Sequence, residues 1–169
     1  MNFTGAGCLF CNSQFILAGY QPRKQKPCIS GLGGKREGEE DIPQTALRET
    51  IEELFELQTV PPDWIESIQQ RITPKGLLQN GEYVMVLYSF EDLEILLQIL
   101  NERQVQSELY DTFPTHLLSL LFHRKLLPYP AEVSHLTLLP LVSHPKDVPF
   151  VAPHFLKDIR LLLSQSFFG

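Results

Sequence analysis

Cysteine is scarce and its number is odd: three in 169 residues, at positions 8, 11 and 28. That excludes a disulfide framework and fits a reducing compartment, so cytosol or nucleus is the expected location. Cys8 and Cys11 form a CxxC, but no second Cys/His pair follows at ligand spacing. Zinc is therefore not expected, and buried or half-buried thiols are. Long hydrophobic runs are missing too. None approaches the ~20 residues of a membrane span, and no basic region followed by an apolar run opens the chain, so neither a spanning helix nor a signal peptide is expected. Residues 1–33 lack acid altogether, while holding Arg23, Lys24 and Lys26. Positive charge is nonetheless in deficit overall, and a net −6 disfavours nonspecific binding to duplex nucleic acid. Internal repeats and low-complexity tracts are absent. What is present, 43% hydrophobic and 20% charged residues, suits a globular chain of about one domain that can bury its own core.

The pattern alternates short strands with helices. Thr4 to Phe10 and Gln14 to Tyr20 read as a β-hairpin around Cys11-Asn12-Ser13. Gln21 to Pro27 is a basic loop bracketed by prolines, and Cys28 to Ser30 runs into a glycine-rich turn. A helix then opens at Asp41 as N-cap with Pro43 in its first turn. Its buried stripe is Leu47, Ile51 and Leu54 at i, i+4, i+7, and propensity lets it run to Leu57. Trp64 to Gln70 is a short helix or irregular. Asn80-Gly81 signals a turn, and Tyr83 to Phe90 is a strand buried on both faces. Ser89 with Asp92 caps a further helix whose stripe is Leu93, Leu96, Leu97 and Leu100. Another follows from about Pro114, with His123-Arg124-Lys125 as its basic C-terminal end. Val133 to Leu141 returns to strand, and Phe155, Ile159 and Leu163 mark a last helix. The expected class is α+β or mixed α/β, a mixed sheet covered by helices.

One stretch stands apart. Gly34 to Glu56 reads GKREGEEDIPQTALRETIEELFE, in which eight acids face three bases, so it carries −5 of the net −6. Acids so dense repel one another unless a cation sits among them, which points to a divalent-metal site; a solvated helix face is the alternative. Spacing decides between them. Glu49, Glu53 and Glu56 recur along one face of the helix, with Glu52 beside Glu53. Hydrolysis of a diphosphate brings water to a phosphorus ringed by negative oxygens, and Mg²⁺, which prefers carboxylate and water ligands, neutralises them. Three glutamates on adjacent turns of a rigid helix suit that ion. A glycine loop lets backbone approach closely, so the Gly34 carbonyl is a further candidate ligand. Arg48, always charged, can hold a neighbouring carboxylate such as Glu37 in place. The basic loop of Arg23, Lys24 and Lys26, with Lys35, is suited to a polyphosphate substrate.

The same stretch resembles the Nudix box: G, five residues, E, seven residues, then REUxEExGU, with U a bulky aliphatic residue. Gly34, Glu40, Arg48, Glu49, Glu52 and Glu53 match all six fixed Gly, Glu and Arg positions. At about 6–7% usage each, such a match arises by chance roughly once in 10⁷ windows. Gly33-Gly34-Lys35-x-Glu37 resembles the family's GGKxE entry, and Glu132 to Leu141 resembles the strand and loop that usually follow. Thr50 stands for an aliphatic residue, Phe55 for the closing glycine and Glu56 for an aliphatic. The resemblance implies a Nudix-like α/β/α sandwich with a central mixed sheet, in a single domain with a helical insertion at about residues 91–129. It also implies an Mg²⁺-dependent hydrolase (Mn²⁺ being a possible substitute) that cleaves a pyrophosphate bond. In that reading Glu49, Glu52 and Glu53 bind the metal, Glu49 or a neighbour orients or deprotonates the water, and Glu40 is an outer ligand. The distal acid that many members use would be Glu132 or Glu108, with His154 a further candidate.

Most substrate marks of the family are missing. The proline of ADP-ribose enzymes is replaced by Gln70-Arg71, and the tyrosine of diadenosine polyphosphate enzymes by Ile72-Thr73. Neither the coenzyme A signature nor the NADH-type SQPWPFPxS run occurs. Gly31-Leu32-Gly33-Gly34-Lys35 is nearest to the GFGGK of oxidised-purine nucleoside triphosphatases. The expected substrate is thus a nucleoside di- or triphosphate, with Glu132 and the basic residues meeting it. Capped RNA, through a decapping activity, is the enzymatic alternative, and a non-catalytic Nudix-fold module that binds a nucleotide or protein is the alternative of another class. The segment from Glu91 to Leu127 is expected to be a lid, a homodimer or protein-docking surface, or two helices that thicken the core.

Overall fold

The computed structural model describes residues 2–141 and 150–165. In chain order the elements are β1 (Gly5–Phe10), β2 (Phe15–Gln21), β3 (Cys28–Ser30), β4 (Leu32–Lys35), α1 (Ile42–Phe55), α2 (Pro62–Gln69), β5 (Gly76–Asn80), β6 (Tyr83–Tyr88), α3 (Phe90–Glu102), α4 (Leu117–Phe122), β7 (His135–Pro140) and α5 (Pro153–Ser164). Four strands form a mixed sheet in the order β4-β1-β6-β5, and three form a second sheet in the order β3-β2-β7. Only the β1–β6 pairing is parallel; the other named pairings are antiparallel.

Strand alternation sorts the side chains into two cores. Ala6, Cys8, Phe10, Val84, Val86 and Tyr88 face the side covered by α1, where they meet Ala46, Leu47, Ile51 and Leu54. Leu9, Met85 and Leu87 face the other side, together with Phe155, Ile159 and Leu162 of α5. Helices therefore cover both faces of the mixed sheet, the α/β/α arrangement expected from the sequence.

Several expectations change. β1 and β2 are not paired as a hairpin: they belong to different sheets, and a single isolated bridge, between Cys11 just past β1 and Ile16 in β2, links them. Each strand has other partners on both edges, β6 and β4 for β1, and β3 and β7 for β2. The turn chemistry is still local, since the Asn12 carboxamide oxygen accepts from the Gln14 and Phe15 N–H groups. Trp64 lies in a helix, α2. The Asn80-Gly81 turn joins β5 to β6, and Gly81 takes φ +66°. On α5 the inward residue of the third turn is Leu162; Leu163 is 43% exposed.

The 91–129 segment is mostly core. Leu93, Leu96, Leu97, Leu100, Leu109 and Leu120 are buried in the cluster that also holds the α1 stripe. Leu97 and Leu121, the first buried and the second partly so, are thus not free surface. The large apolar side chains that this segment leaves exposed are Leu118, Phe122, Leu126 and Tyr129. Among the described residues no helix is long and apolar enough to cross a membrane.

Candidate active site

The acidic helix α1 begins where the sequence places it. The Asp41 side chain accepts from the Gln44 N–H, and the Gln44 side chain accepts from the Asp41 N–H, so two free backbone donors are satisfied at once. Thr50, the departure from an aliphatic position, is fully buried and accepts the Cys8 N–H at 3.1 Å, which pins α1 to β1. The helix ends after Phe55, short of Leu57, with Glu56 in the left-handed region at φ 51°.

Arg48 is the hub. It is 6% exposed and donates from Nε to Glu40 Oε2 at 2.7 Å, from Nη2 to Glu40 Oε1 at 3.0 Å and to the Lys35 carbonyl at 2.7 Å. Nη1 reaches Glu49 at 3.0 Å and Glu52 at 3.3 Å. Glu37, expected as its partner, is 3.6 Å away with a largely exposed side chain. The nearer Glu40 matches the guanidinium fork with both oxygens, the stronger geometry. Glu40 also accepts from the Glu37 N–H and the Thr45 hydroxyl. Burial alone would raise the Glu40 carboxyl, but the hydrogen bonds from Arg48, Glu37 and Thr45 hold it below the ordinary carboxylate range.

The remaining glutamates are strained electrostatically in the opposite direction. Glu49 is raised by burial and by the charges of Glu132 and Glu37, in spite of Arg48. Glu52 is raised by burial and by Glu49. Glu53 is 2% exposed, and burial, with Glu132 and Glu49, pushes its carboxyl up to about 8. One donor stabilises its charged form, the Gly33 N–H at 2.5 Å. Gly33 and Gly34, at the entry to the box, are needed for this approach: a Cβ at Gly34 would strike the Glu49 carboxylate, and one at Gly33 the Tyr83 hydroxyl.

The other expected residues divide. Glu132 lies close enough for its charge to act on Glu49 and Glu53. Its N–H donates to Glu56 at 3.1 Å. Glu108 is bonded to Tyr129, and His154 to Ser30; neither figures in the electrostatics of the box glutamates. In the exposed loop, Lys24 is the base whose charge acts on Glu53. Arg23 and Lys26 are also exposed, and the Lys35 side chain points outward while its carbonyl binds Arg48.

Glu49, Glu52 and Glu53 supply the hard oxygen donors that a divalent cation takes, on one helix face and in mutual repulsion. The donor set therefore fits such an ion. Among the described residues no three metal-ligating side chains are already gathered around a single point: Glu49 and Glu52 turn to Arg48, and Glu53 to Gly33.

Sequence reasoning missed two groups. Tyr20, Tyr129, Ser134 and His135 line a cavity of about 350 Å³ between β2, β7 and the loop before it. The position of Tyr20 just ahead of the basic loop was the available signal. Ser107 and Arg124 reach the end of α1 from across the chain; no local pattern marks such contacts.

No protein-family model and no curated protein sequence matches the chain. Solved structures do. A bifunctional NMN adenylyltransferase/ADP ribose pyrophosphatase from Francisella tularensis, complexed with AMP and a Mn ion, aligns over 97% of this chain at TM-score 0.51 and 14% identity. A second structure of the same bifunctional protein aligns over 98% at TM-score 0.52 and 15% identity. The chain spans 42% and 41% of the length of those two proteins. A MutT NUDIX hydrolase from Burkholderia pseudomallei aligns over 96% of this chain and 98% of its own at TM-score 0.48 and 15% identity. The first two carry the fold, the box at Gly34 to Glu56 carries the motif, and by both together this is a chain of Nudix fold.

Proposed function

We propose that the chain is a divalent-metal-dependent hydrolase that cleaves a pyrophosphate bond in a nucleoside-diphosphate-linked substrate, a nucleoside di- or triphosphate in the first instance. The observation that carries the reading is the gathering of Glu49, Glu52 and Glu53 on one helix with Glu132 near by; burial first, and the neighbouring acids second, raise the three helix carboxyls above their ordinary range. A merely solvated face would relax by spreading such charges; here Arg48 and Gly33 hold them together. Bound there, Mg²⁺ or Mn²⁺ would neutralise phosphate oxygens and lower the pKa of a coordinated water.

The protein's own residues have separable tasks. Glu49, Glu52 and Glu53 would hold the metal, with the Gly34 carbonyl beside them. Glu40, whose oxygens are all engaged, anchors Arg48 instead of the ion. Glu132, the remaining nearby acid, would accept the proton of the attacking water or position it. Lys24 supplies positive charge to the substrate's phosphates. The cavity beside Tyr20, Tyr129 and His135 offers aromatic surface on which a base can stack. The neighbour's AMP and Mn ion support a nucleotide and a divalent cation as the pair to test first.

The binding-module reading needs no such acids and is disfavoured by Arg48, Glu49, Glu52 and Glu53 together. A homodimer or protein partner would use the exposed Leu118, Phe122 and Leu126. The test is turnover with Mg²⁺ or Mn²⁺ on a panel of nucleoside triphosphates, ADP-ribose, dinucleotides and capped RNA. Hydrolysis of a nucleotide that chelator abolishes supports the reading. Turnover of capped RNA alone moves it to decapping, and silence on every member overturns it.

A further inference from the structure

The last turn of α1 leaves its carbonyls without intrahelical partners, and the residue that would close such a helix with a glycine is Phe55. Side chains from the 91–129 segment fill the gap. Arg124 donates from Nη2 to the Glu53 carbonyl at 3.1 Å and from Nη1 to the Leu54 carbonyl. Ser107 donates its hydroxyl to the Phe55 carbonyl at 2.7 Å. Three consecutive carbonyls are thus capped from outside the helix. The Phe55 ring completes the joint, stacked on Phe113 at 4.7 Å and edge-on to Tyr110 at 5.9 Å.

Arg124 does more than cap. Nη2 also donates to the Val133 carbonyl at 2.7 Å, immediately after Glu132. Nη1 is held by the Tyr110 hydroxyl at 3.0 Å, which in turn donates to the Leu120 carbonyl at 2.6 Å. One guanidinium therefore ties the backbone of Glu53 to the backbone beside Glu132, an acid near enough for its charge to act on Glu53. Its charge sits at the negative end of the helix dipole, where Glu52 and Glu53 add to an already unfavourable potential. Arginine is required for this: a planar fork can serve several carbonyls at once, and lysine cannot.

From this geometry we infer that Arg124 is a positioning residue for catalysis, and that the 91–129 segment is a brace that fixes Glu53 and Glu132 relative to each other. The inference rests on the hydrolase reading above. It touches neither substrate nor metal, so it predicts an effect on kcat and on metal affinity with KM for the nucleotide nearly unchanged.

The test compares wild type with Arg124→Ala, Arg124→Lys and, as a control for plain destabilisation outside the brace, Leu162→Ala in the core beneath α5. Each variant is first shown to be folded by circular dichroism below its Tm. Steady-state kinetics on the best nucleotide and Mn²⁺ titration by electron paramagnetic resonance are the readouts. Arg124→Ala is expected to lose about 10–100-fold in kcat and in Mn²⁺ affinity, the range for residues that orient a site through its ligands. Added guanidinium ion should restore part of both, Arg124→Lys should recover less than half of the loss, and Leu162→Ala should retain wild-type kcat despite its lower Tm. An active wild type whose Arg124→Ala matches it in kcat and Mn²⁺ affinity overturns the inference alone, as does Leu162→Ala losing as much. If Arg124→Ala does not fold, Arg124→Lys with wild-type values in both readouts overturns it equally. A wild type that neither binds Mn²⁺ nor hydrolyses any nucleotide overturns the hydrolase reading, and the brace with it.

Discussion

Arg48 grips Glu40 through two parallel hydrogen bonds, Nε to Oε2 at 2.7 Å and Nη2 to Oε1 at 3.0 Å. The pair joins the loop before α1 to the helix itself, and from this fixed base Arg48 extends Nη1 to Glu49 and Glu52. It is the structural reason that several carboxylates can share one small volume without a metal.

Arg48→Met should therefore lower stability by about 3 kcal/mol, the range for removing one partner of a largely buried ion pair. Arg48→Lys keeps the charge, loses the fork and should fall between the two. Saturating Mg²⁺ should recover more stability in Arg48→Met than in wild type, because a cation then takes over the neutralisation. Urea unfolding with and without Mg²⁺ measures both effects; an Arg48→Met protein as stable as wild type would show that the hub is ornamental.

Glu53 gives a pH dependence with a definite sign. Its carboxyl sits at about 8 in the folded metal-free protein against an ordinary 4.5, so the folded state holds an extra proton between those limits. The stability tied to that proton is complete below about 4.5 and is lost as pH rises through 8. Glu53→Gln removes the loss. In chelator, the stability of Glu53→Gln relative to wild type should rise from pH 5 to pH 8 by on the order of a few kcal/mol. A difference flat with pH in urea titrations would contradict the buried, proton-holding carboxyl.

Phe55 invites a misleading repair. Restoring glycine at position 55 would delete the ring held by Phe113 and Tyr110. It should cost about 3–5 kcal/mol, as large-to-small changes at buried aromatics do. The left-handed residue is Glu56, and Glu56→Gly should stabilise the protein by about 1 kcal/mol through relief of its backbone, less the lost bond to the Glu132 N–H. Thermal melts of the two variants should move in opposite directions.

Burial pushes the thiols of Cys8 and Cys11 up to about 12, whereas Cys28 is only half-buried. At pH 8 an aromatic disulfide reagent should modify Cys28 first, with Cys8 and Cys11 reacting only as the protein unfolds. Mass spectrometry of the labelled peptides reads the order. Rapid modification of Cys8 in the native state would contradict its place in the central strand.

What the sequence made legible follows the reach of the interactions. Asp41 as N-cap, Ser89 with Asp92, the stripe of Leu47, Ile51 and Leu54 and the spacing of Glu49, Glu52 and Glu53 are all local, and all lie where they were expected. The expected hairpin around Asn12 fails because strand pairing is decided at a distance: β1 finds β6, which lies far along the chain. The basic end of α4 shows the same limit. The sequence marks Arg124 only as part of the basic C-terminal end of its own helix, but its guanidinium reaches the Glu53 and Leu54 carbonyls at the end of α1. Phe55 could not be explained beside its sequence neighbours because its partners, Tyr110 and Phe113, come from the segment that resembles nothing in the family pattern.

The central claim is that the acidic face of α1 binds the metal that hydrolysis requires. The most direct measurement is the initial rate of nucleotide hydrolysis in Mn²⁺ and in chelator for wild type, Glu52→Gln and Glu53→Gln. The account predicts turnover by wild type that chelator abolishes, and a fall in kcat of at least about 100-fold in each variant, the scale expected when a metal ligand is removed. Variants that turn over at the wild-type rate, or a wild-type rate indifferent to chelator, would contradict it.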